Sequence, residues 1–170
     1  GSGTLTLAGS NGYAGATNAT AGAVKVTNSN GLSGTGVVVT TGAALQFAQD
    51  AGSNNISVVG VGATLNGTGL SGGGAIENLN GSNSFAGAVT LGSAASIRAD
   101  AGSTLTLTGG VDVATPSHNA LTALDNIVQN GAIKNGNVTT ATAYQTGLTV
   151  LTGSGTGEDR GMTRGRVACA

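Results

Sequence analysis

Apolar and polar residues alternate along this chain in short runs. Thr4-Leu-Thr-Leu7, Val24-Lys-Val26, Thr104-Leu-Thr-Leu107 and Leu148-Thr-Val-Leu151 place apolar side chains at every second position, or nearly so. A period of two sends alternate side chains to opposite faces of an extended strand. Val37-Val-Val39 and Ile56-Ser-Val-Val59 are β-branched, which favours the same extended backbone. Ser29-Asn-Gly31, Gly52-Ser-Asn-Asn55 and Gly72-Gly-Gly74 lie between such runs and tolerate the left-handed backbone of tight corners. The pattern predicts many short strands joined by turns. Antiparallel hairpins are one arrangement of them, and Asn130-Gly131 and Asn135-Gly136 suit two-residue hairpin turns. Most other turns are longer or irregular.

A recurrence orders these strands. Leu7, Leu79 and Leu151 open similar phrases 72 residues apart. The first runs to Tyr13-Ala-Gly15 and the second to Phe85-Ala-Gly87, while the third, Leu151-Thr-Gly-Ser-Gly-Thr156, stops matching. Fixed recurrence is the signature of repeat architecture. Gly22-Ala-Val, Gly42-Ala-Ala-Leu45, Gly62-Ala-Thr-Leu65 and Gly102-Ser-Thr-Leu105 follow at steps of 20, 20 and 40. A step of about 20 residues is one turn of a solenoid, so a parallel β-helix of about eight turns, with rungs ~4.8 Å apart, is expected.

One segment departs from the pattern. Thr115-Pro116-Ser117-His118 carries the sole proline, and Leu121, Leu124 and Val128 then fall at helical spacing after Asn119. The stretch 119–129 reads either as a short helix or as another rung with Leu124 and Ile127-Val128 inward. Periodicity leaves both open.

Composition narrows the architecture. The 170 residues include 32 glycines, 2% aromatics and 8% charged residues, against about 25% charged in ordinary domains. The core must be thin and built from small side chains, which a solenoid allows because each rung covers its neighbour. A net charge of −1 with few basic residues leaves no stripe to follow a phosphate backbone, so nucleic acid is not an expected partner. No apolar run approaches the ~18 residues of a membrane helix. The only cysteine, Cys169, excludes a disulfide framework. The chain opens inside a repeat, which is read as an excerpt of something longer. From Glu158 to Ala170 the composition changes, with five of the thirteen charges, the only Met and the only Cys. The expected division is therefore a β-helical segment, 1–157, and a divergent disordered tail, 158–170. That tail is read as an out-of-frame or truncated end, with a frayed native terminus as the other reading.

Gly3-Thr-Leu-Thr-Leu-Ala-Gly-Ser-Asn-Gly-Tyr-Ala-Gly15, then Ala21-Gly-Ala-Val-Lys-Val26 and Thr41-Gly-Ala-Ala-Leu45, resemble the autotransporter-associated β-strand repeat. The second copy, Ile76 through Phe85-Ala-Gly87, resembles it more loosely, with Phe for Tyr. The resemblance implies a right-handed parallel β-helix in a type V secretion passenger of a Gram-negative bacterium. It implies secretion or surface display, with attachment to the outer membrane through a translocator barrel of the parent protein as partner. No segment here resembles that barrel. The implied role is structural, assisting export and forming a stalk. A chain with few bulky aromatics and no disulfide suits passage through a narrow pore.

Candidate chemistry is sparse. His118 has no second His and no nearby Cys, so neither a triad nor a zinc site is assembled around it. Asp50, Glu77, Asp100, Asp112 and Asp125 are dispersed, whereas glycoside hydrolysis needs paired carboxylates. Asp50 and Asp100 each lie beside an Ala-Gly pair and suit comparable corners. Gly67-Thr-Gly69-Leu-Ser-Gly72 fits G-x-G-x-x-G by spacing alone and lacks the strand-turn-helix context of a nucleotide site. No catalytic, cofactor-binding or metal-binding residue is assigned, no cofactor is expected, and the chain is read as a non-enzyme. Thr4-Leu-Thr6 and Thr104-Leu-Thr106 would form a flat hydroxyl array only if such pairs recurred on consecutive rungs, and along the sequence they recur sporadically. The alternative functions are an adhesin or carbohydrate-binding solenoid that meets a host surface, with Thr115–Gln129 as its candidate loop, and, third, a polysaccharide-degrading β-helix.

Overall fold

The structure is a computed structural model that describes residues 1–111 throughout and, beyond them, the backbone of residues 112–113 and of seven further strands. The first twelve strands are β1 (Thr4–Leu7), β2 (Thr17–Ala19), β3 (Gly22–Val26), β4 (Val37–Val39), β5 (Ala43–Phe47), β6 (Ser57–Val58), β7 (Ala63–Gly67), β8 (Ile76–Asn78), β9 (Ser82–Phe85), β10 (Val89–Ala99), β11 (Thr104–Leu107) and β12 (Val111–Val113). The others are β13 (Ala120–Leu124), β14 (Ile127–Gln129), β15 (Ile133–Asn135), β16 (Thr140–Tyr144), β17 (Thr149–Val150), β18 (Met162–Thr163) and β19 (Arg166–Val167).

Every strand pair from β1 to β17 is parallel, and the chain is a β-solenoid of the right-handed parallel β-helix class. Three faces run along the axis. Face 1 stacks β1, β3, β5, β8, the second half of β10, β13 and β16. Face 2 stacks β6, β9, β11, β14 and β17. Face 3 stacks β2, β4, β7, the first half of β10, β12 and β15. From β5 onward the chain visits the faces in that order, whereas β1 and β3 are followed directly by the face 3 strands β2 and β4. β18 and β19 form a separate antiparallel pair.

Inward positions line up in files. Leu5, Val24, Leu45, Ile76 and Ile97 stack on face 1, and Val39, Leu65 and Leu91 on face 3. Phe47 and Phe85 meet between faces 1 and 2 with ring centroids 5.6 Å apart. Leu45, Leu65, Leu91, Phe47 and Phe85 are fully buried. Burying such a side chain is worth about 1.5–3 kcal/mol, so the small core is continuous along the axis instead of thick.

Rung length is uneven. Leu5 pairs with Val24 and Val24 with Leu45, but Leu45 pairs with Ile76, 31 positions on. The added residues fall at two corners, 48–55 and 68–75. The second holds the glycine-rich stretch, folded into a 3-10 turn at Leu70–Gly72 and closed by a Gly69–Gly74 bridge. Among the described residues, long rungs leave fewer turns than the eight expected. Five rungs of face 1 lie within residues 1–113, and β13 and β16 add two.

The Gly-Ala-x-Leu spacing marks a rung at its first step, where Val24 pairs with Leu45, and not at the later ones. Leu45 lies on face 1, Leu65 on face 3 and Leu105 on face 2, so these elements start strands on different faces. The 72-residue phrase does follow the fold, because Leu5 reaches Ile76 through three ladder steps, 71 positions on.

The helical option for 119–129 is corrected. Ala120–Leu124 and Ile127–Gln129 are strands laid on β10 and β11. The register pairs Leu124 with Arg98 and Ile127 with Leu105. The open ladder of the preceding rung supplies hydrogen bonds that the local helical spacing does not outweigh. Within Thr115–Gln129 these two strands continue the solenoid; residues 114–119 and 125–126, with His118 and Asp125, lie outside the described residues. Apart from β18 and β19, so does the tail 158–170.

Candidate functional site

The outward positions separate by chemistry. On face 1 the register stacks Lys25, Gln46, Glu77 and Arg98. Gln46 Nε2 donates to Glu77 Oε2 at 2.7 Å. Glu77 is nearly buried although it points outward, because the glycine-rich strap at 68–74 folds over it. A Cβ at Gly73 would come within 2.8 Å of Glu77 Oε1. Arg98 Nε lies 3.1 Å from Asp100 Oδ1, a charge contact without hydrogen-bond alignment.

Asp50 and Asp100 do occupy comparable corners between faces 1 and 2. Each begins an Asp-Ala-Gly-Ser turn, with Ser53 N donating to Asp50 O and Ser103 N to Asp100 O. Asp50 Oδ1 also accepts from Asn54 Nδ2, Asn54 N and Gly52 N. The Asn54 side chain, then its backbone N–H and that of Gly52, hold the Asp50 carboxyl below the usual carboxylate range. Each described carboxylate side chain is thus engaged locally. Asp50 is held by its own turn, Glu77 by Gln46 and Asp100 by Arg98. Among the described residues no three His, Cys, Asp or Glu side chains gather as a metal site would require. The strap takes Gly67–Gly72 through a bridge and a 3-10 turn, without the helix that a phosphate-binding loop opens. Asp112 lies on β12 across from Thr90, on face 3 and away from the other acids by register.

Face 2 carries hydroxyls in register. Ser57, Ser84 and Thr106 form one outward file, and Ser82 and Thr104 a second beside it. Ser84 Oγ donates to Ser57 Oγ at 2.8 Å, and Ser82 N donates to Asn55 Oδ1 at 2.8 Å. Consecutive rungs therefore do carry paired hydroxyls. The sequence concealed this because the partners are Ser as often as Thr and their spacing is 22 or 27, not 20. Face 3 has a shallow open groove of about 350 Å³, lined among others by Thr35, Val38, Thr64 and Thr90.

One polar cluster sits inside the solenoid. Asn78 and Asn83 are fully buried. Asn83 Nδ2 donates to Asn78 Oδ1 at 2.7 Å and to Asn80 O at 2.8 Å, while Asn83 Oδ1 accepts from Ile56 N at 2.8 Å. Asn78 Nδ2 donates to Gly81 O and Thr104 O. The pair ties three successive rungs together at the corner between faces 1 and 2. Sequence reasoning did not single it out. Its signal was Asn78 in an inward register that Leu7, Val26 and Phe47 fill elsewhere.

No protein-family model, curated protein or solved structure matches this chain.

Proposed function

We propose that this chain is a structural repeat segment of a secreted or surface-displayed passenger, of the autotransporter kind its repeat phrase resembles, and that it assists outer-membrane export and forms a stalk. The observation that carries the reading is the parallel ladder through successive rungs with one continuous narrow apolar core. Such a solenoid adds rung upon rung, each covering the apolar face of the last. Burial of about 25 cal/mol per Å² at each addition opposes sliding back through a pore. The local engagement of Asp50, Glu77 and Asp100 supports a scaffold over an enzyme.

The test is display. The 170-residue chain is placed between a signal peptide and an outer-membrane translocator barrel in a Gram-negative host, and its exposure to added protease is measured. Arrival at the surface as a protease-resistant fold is expected. A chain that folds yet stays in the periplasm sinks the export role. The hydroxyl files of face 2 favour a second reading, an adhesin or carbohydrate-binding solenoid. Glycan-array binding lost on Ser84→Lys but kept on Thr64→Lys would move that reading ahead.

A further inference from the structure

The described residues contain four Asn-Gly pairs, at Asn11, Asn30, Asn66 and Asn80. Asparagine before glycine is chemically labile. The glycine nitrogen, having lost its proton to solvent base, attacks the asparagine Cγ, and the amide nitrogen leaves as ammonia. The resulting cyclic imide then takes up one water at either carbonyl, giving aspartate or isoaspartate. The net change is asparagine plus water to aspartyl product plus ammonia, with no oxidant or reductant. Three conditions favour it: an unbonded glycine N–H, an unbonded leaving amide and a hydrogen bond to the oxygen that gains charge.

The fold grades the four pairs. At Asn66 both nitrogens are held, since Asn66 Nδ2 donates to Val39 O at 3.0 Å and Gly67 N to Ser93 Oγ at 3.1 Å. At Asn11 the leaving amide is held, with Nδ2 donating to Gly31 O at 2.8 Å. At Asn30 the nucleophile is held, because Gly31 is buried and its N–H donates to Asn28 O at 2.9 Å. Asn80 meets all three conditions. It is exposed, and neither Asn80 Nδ2 nor Gly81 N has a partner among the described residues. Its Oδ1 accepts from Gln49 N at 2.8 Å. Only an oxygen can face that N–H, which fixes the amide orientation. The Asn80 carbonyl accepts from Asn83 Nδ2 at 2.8 Å, which draws electrons from the peptide bond and makes Gly81 N–H more acidic.

We infer that Asn80-Gly81 is a self-modification site, the position among these four where the folded chain first loses ammonia. Isoaspartate there lengthens the main chain by one methylene. It does so at the corner that Asn78 and Asn83 fasten, where Gly81 O accepts from both Asn78 Nδ2 and Thr104 N. Modification therefore loosens the clasp between neighbouring rungs.

The chain supplies its own control. Leu65-Asn66-Gly67 and Leu79-Asn80-Gly81 are the same tripeptide, so their intrinsic rates match and any difference comes from the fold. The folded 170-residue chain is aged in mildly alkaline buffer, and peptide mapping follows the mass gain of carboxyl replacing amide at each of the four sites. Conversion at Asn80 ahead of Asn66, Asn11 and Asn30 is expected, with Asn66 and Asn80 converging in concentrated urea. Asn80→Gln, which closes the imide ring far more slowly, is expected to remove the early event while the far-UV spectrum stays unchanged. The inference is overturned if any of the other three converts first in the folded chain, or if Asn80 and Asn66 keep pace with each other there. Should the variant fail to fold, the order in the unaltered chain decides alone.

Discussion

Asparagine does two jobs in this molecule, and only one shows in the sequence. At corners it behaves as its turn propensity predicts. At positions 78 and 83 it stands in the core, where an unpaired amide would be costly and each amide is instead bonded across rungs. Alternation could not reveal this, because a period of two names the inward position without saying whether a polar group can be satisfied there. Asn83→Ala leaves Ile56 N–H and Asn78 Oδ1 without their partner. We expect a loss of about 1–3 kcal/mol, read from the urea midpoint, and a cost within error of zero would mean water replaces the amide. Asp50 gives a pH prediction at the same scale. Its carboxyl is held below its reference value of 3.8, so its contribution is fully present above that value and is lost as pH falls through the lower folded value. Amide exchange at Gly52 and Asn54, corrected for intrinsic rates, should therefore speed up only in that acid window. Equal protection on both sides of it would show that the carboxylate does not hold the turn.

The repeat phrase acquires a meaning at the scale of strands and corners. Its aromatic turns inward in the second copy, where Phe85 is buried, and its closing glycine lies where the chain leaves face 2 for face 3. There successive backbones press together. A Cβ at Gly34 would fall 2.0 Å from Gly15 O, one at Gly87 1.8 Å from Val61 O, and one at Gly109 2.1 Å from Gly87 O. In the second copy the glycine after Phe85-Ala86 is therefore required by the backbone of the preceding rung, whereas Gly15 of the first copy has open space. Gly87→Ala requires the backbone to move and is expected to cost about 1–3 kcal/mol or more. Gly12→Ala, with nothing within 4 Å of the added atom, should stay within about 0.5 kcal/mol. Thermal melts of the two variants check the contrast, and equal shifts would refute the corner account. Strands such as Thr4–Leu7, Val37–Val39 and Thr104–Leu107 were legible from alternation and branching, with ends close to those observed. Which face each strand joined was not. Two corners took in extra residues, so the Gly-Ala-x-Leu elements kept their spacing in sequence while landing on different faces.

Along the whole molecule the sequence conveyed the solenoid and the rise of one rung on the next, but not the number of turns or the chemistry of each face. Period and composition are sums over the chain, whereas a face is set by register, and register depends on every corner length before it. The described charged side chains through residue 111 belong to face 1 or its exit corner, as Lys25, Asp50, Glu77, Arg98 and Asp100. The hydroxyl files belong to face 2, a segregation invisible to any fixed period. Stability should be equally local. Each rung contacts mainly its neighbours, so energy is passed along the axis in nearest-neighbour steps. Leu65, fully buried on β7, pairs with Val39 on one side and Leu91 on the other. Leu65→Ala should cost about 2–5 kcal/mol through lost contacts and the cavity left behind. Under nearest-neighbour coupling that loss falls first on β4, β7 and the first half of β10. β1, which pairs only with β3 and whose Leu5 is 60% exposed, is already weakly protected and should change little. Hydrogen exchange followed peptide by peptide separates the cases. A graded loss of protection centred on residues 37–39, 63–67 and 89–91 is the expected result. A uniform drop over every strand would mean that the solenoid opens as a single unit, and that its core couples distant rungs as strongly as adjacent ones.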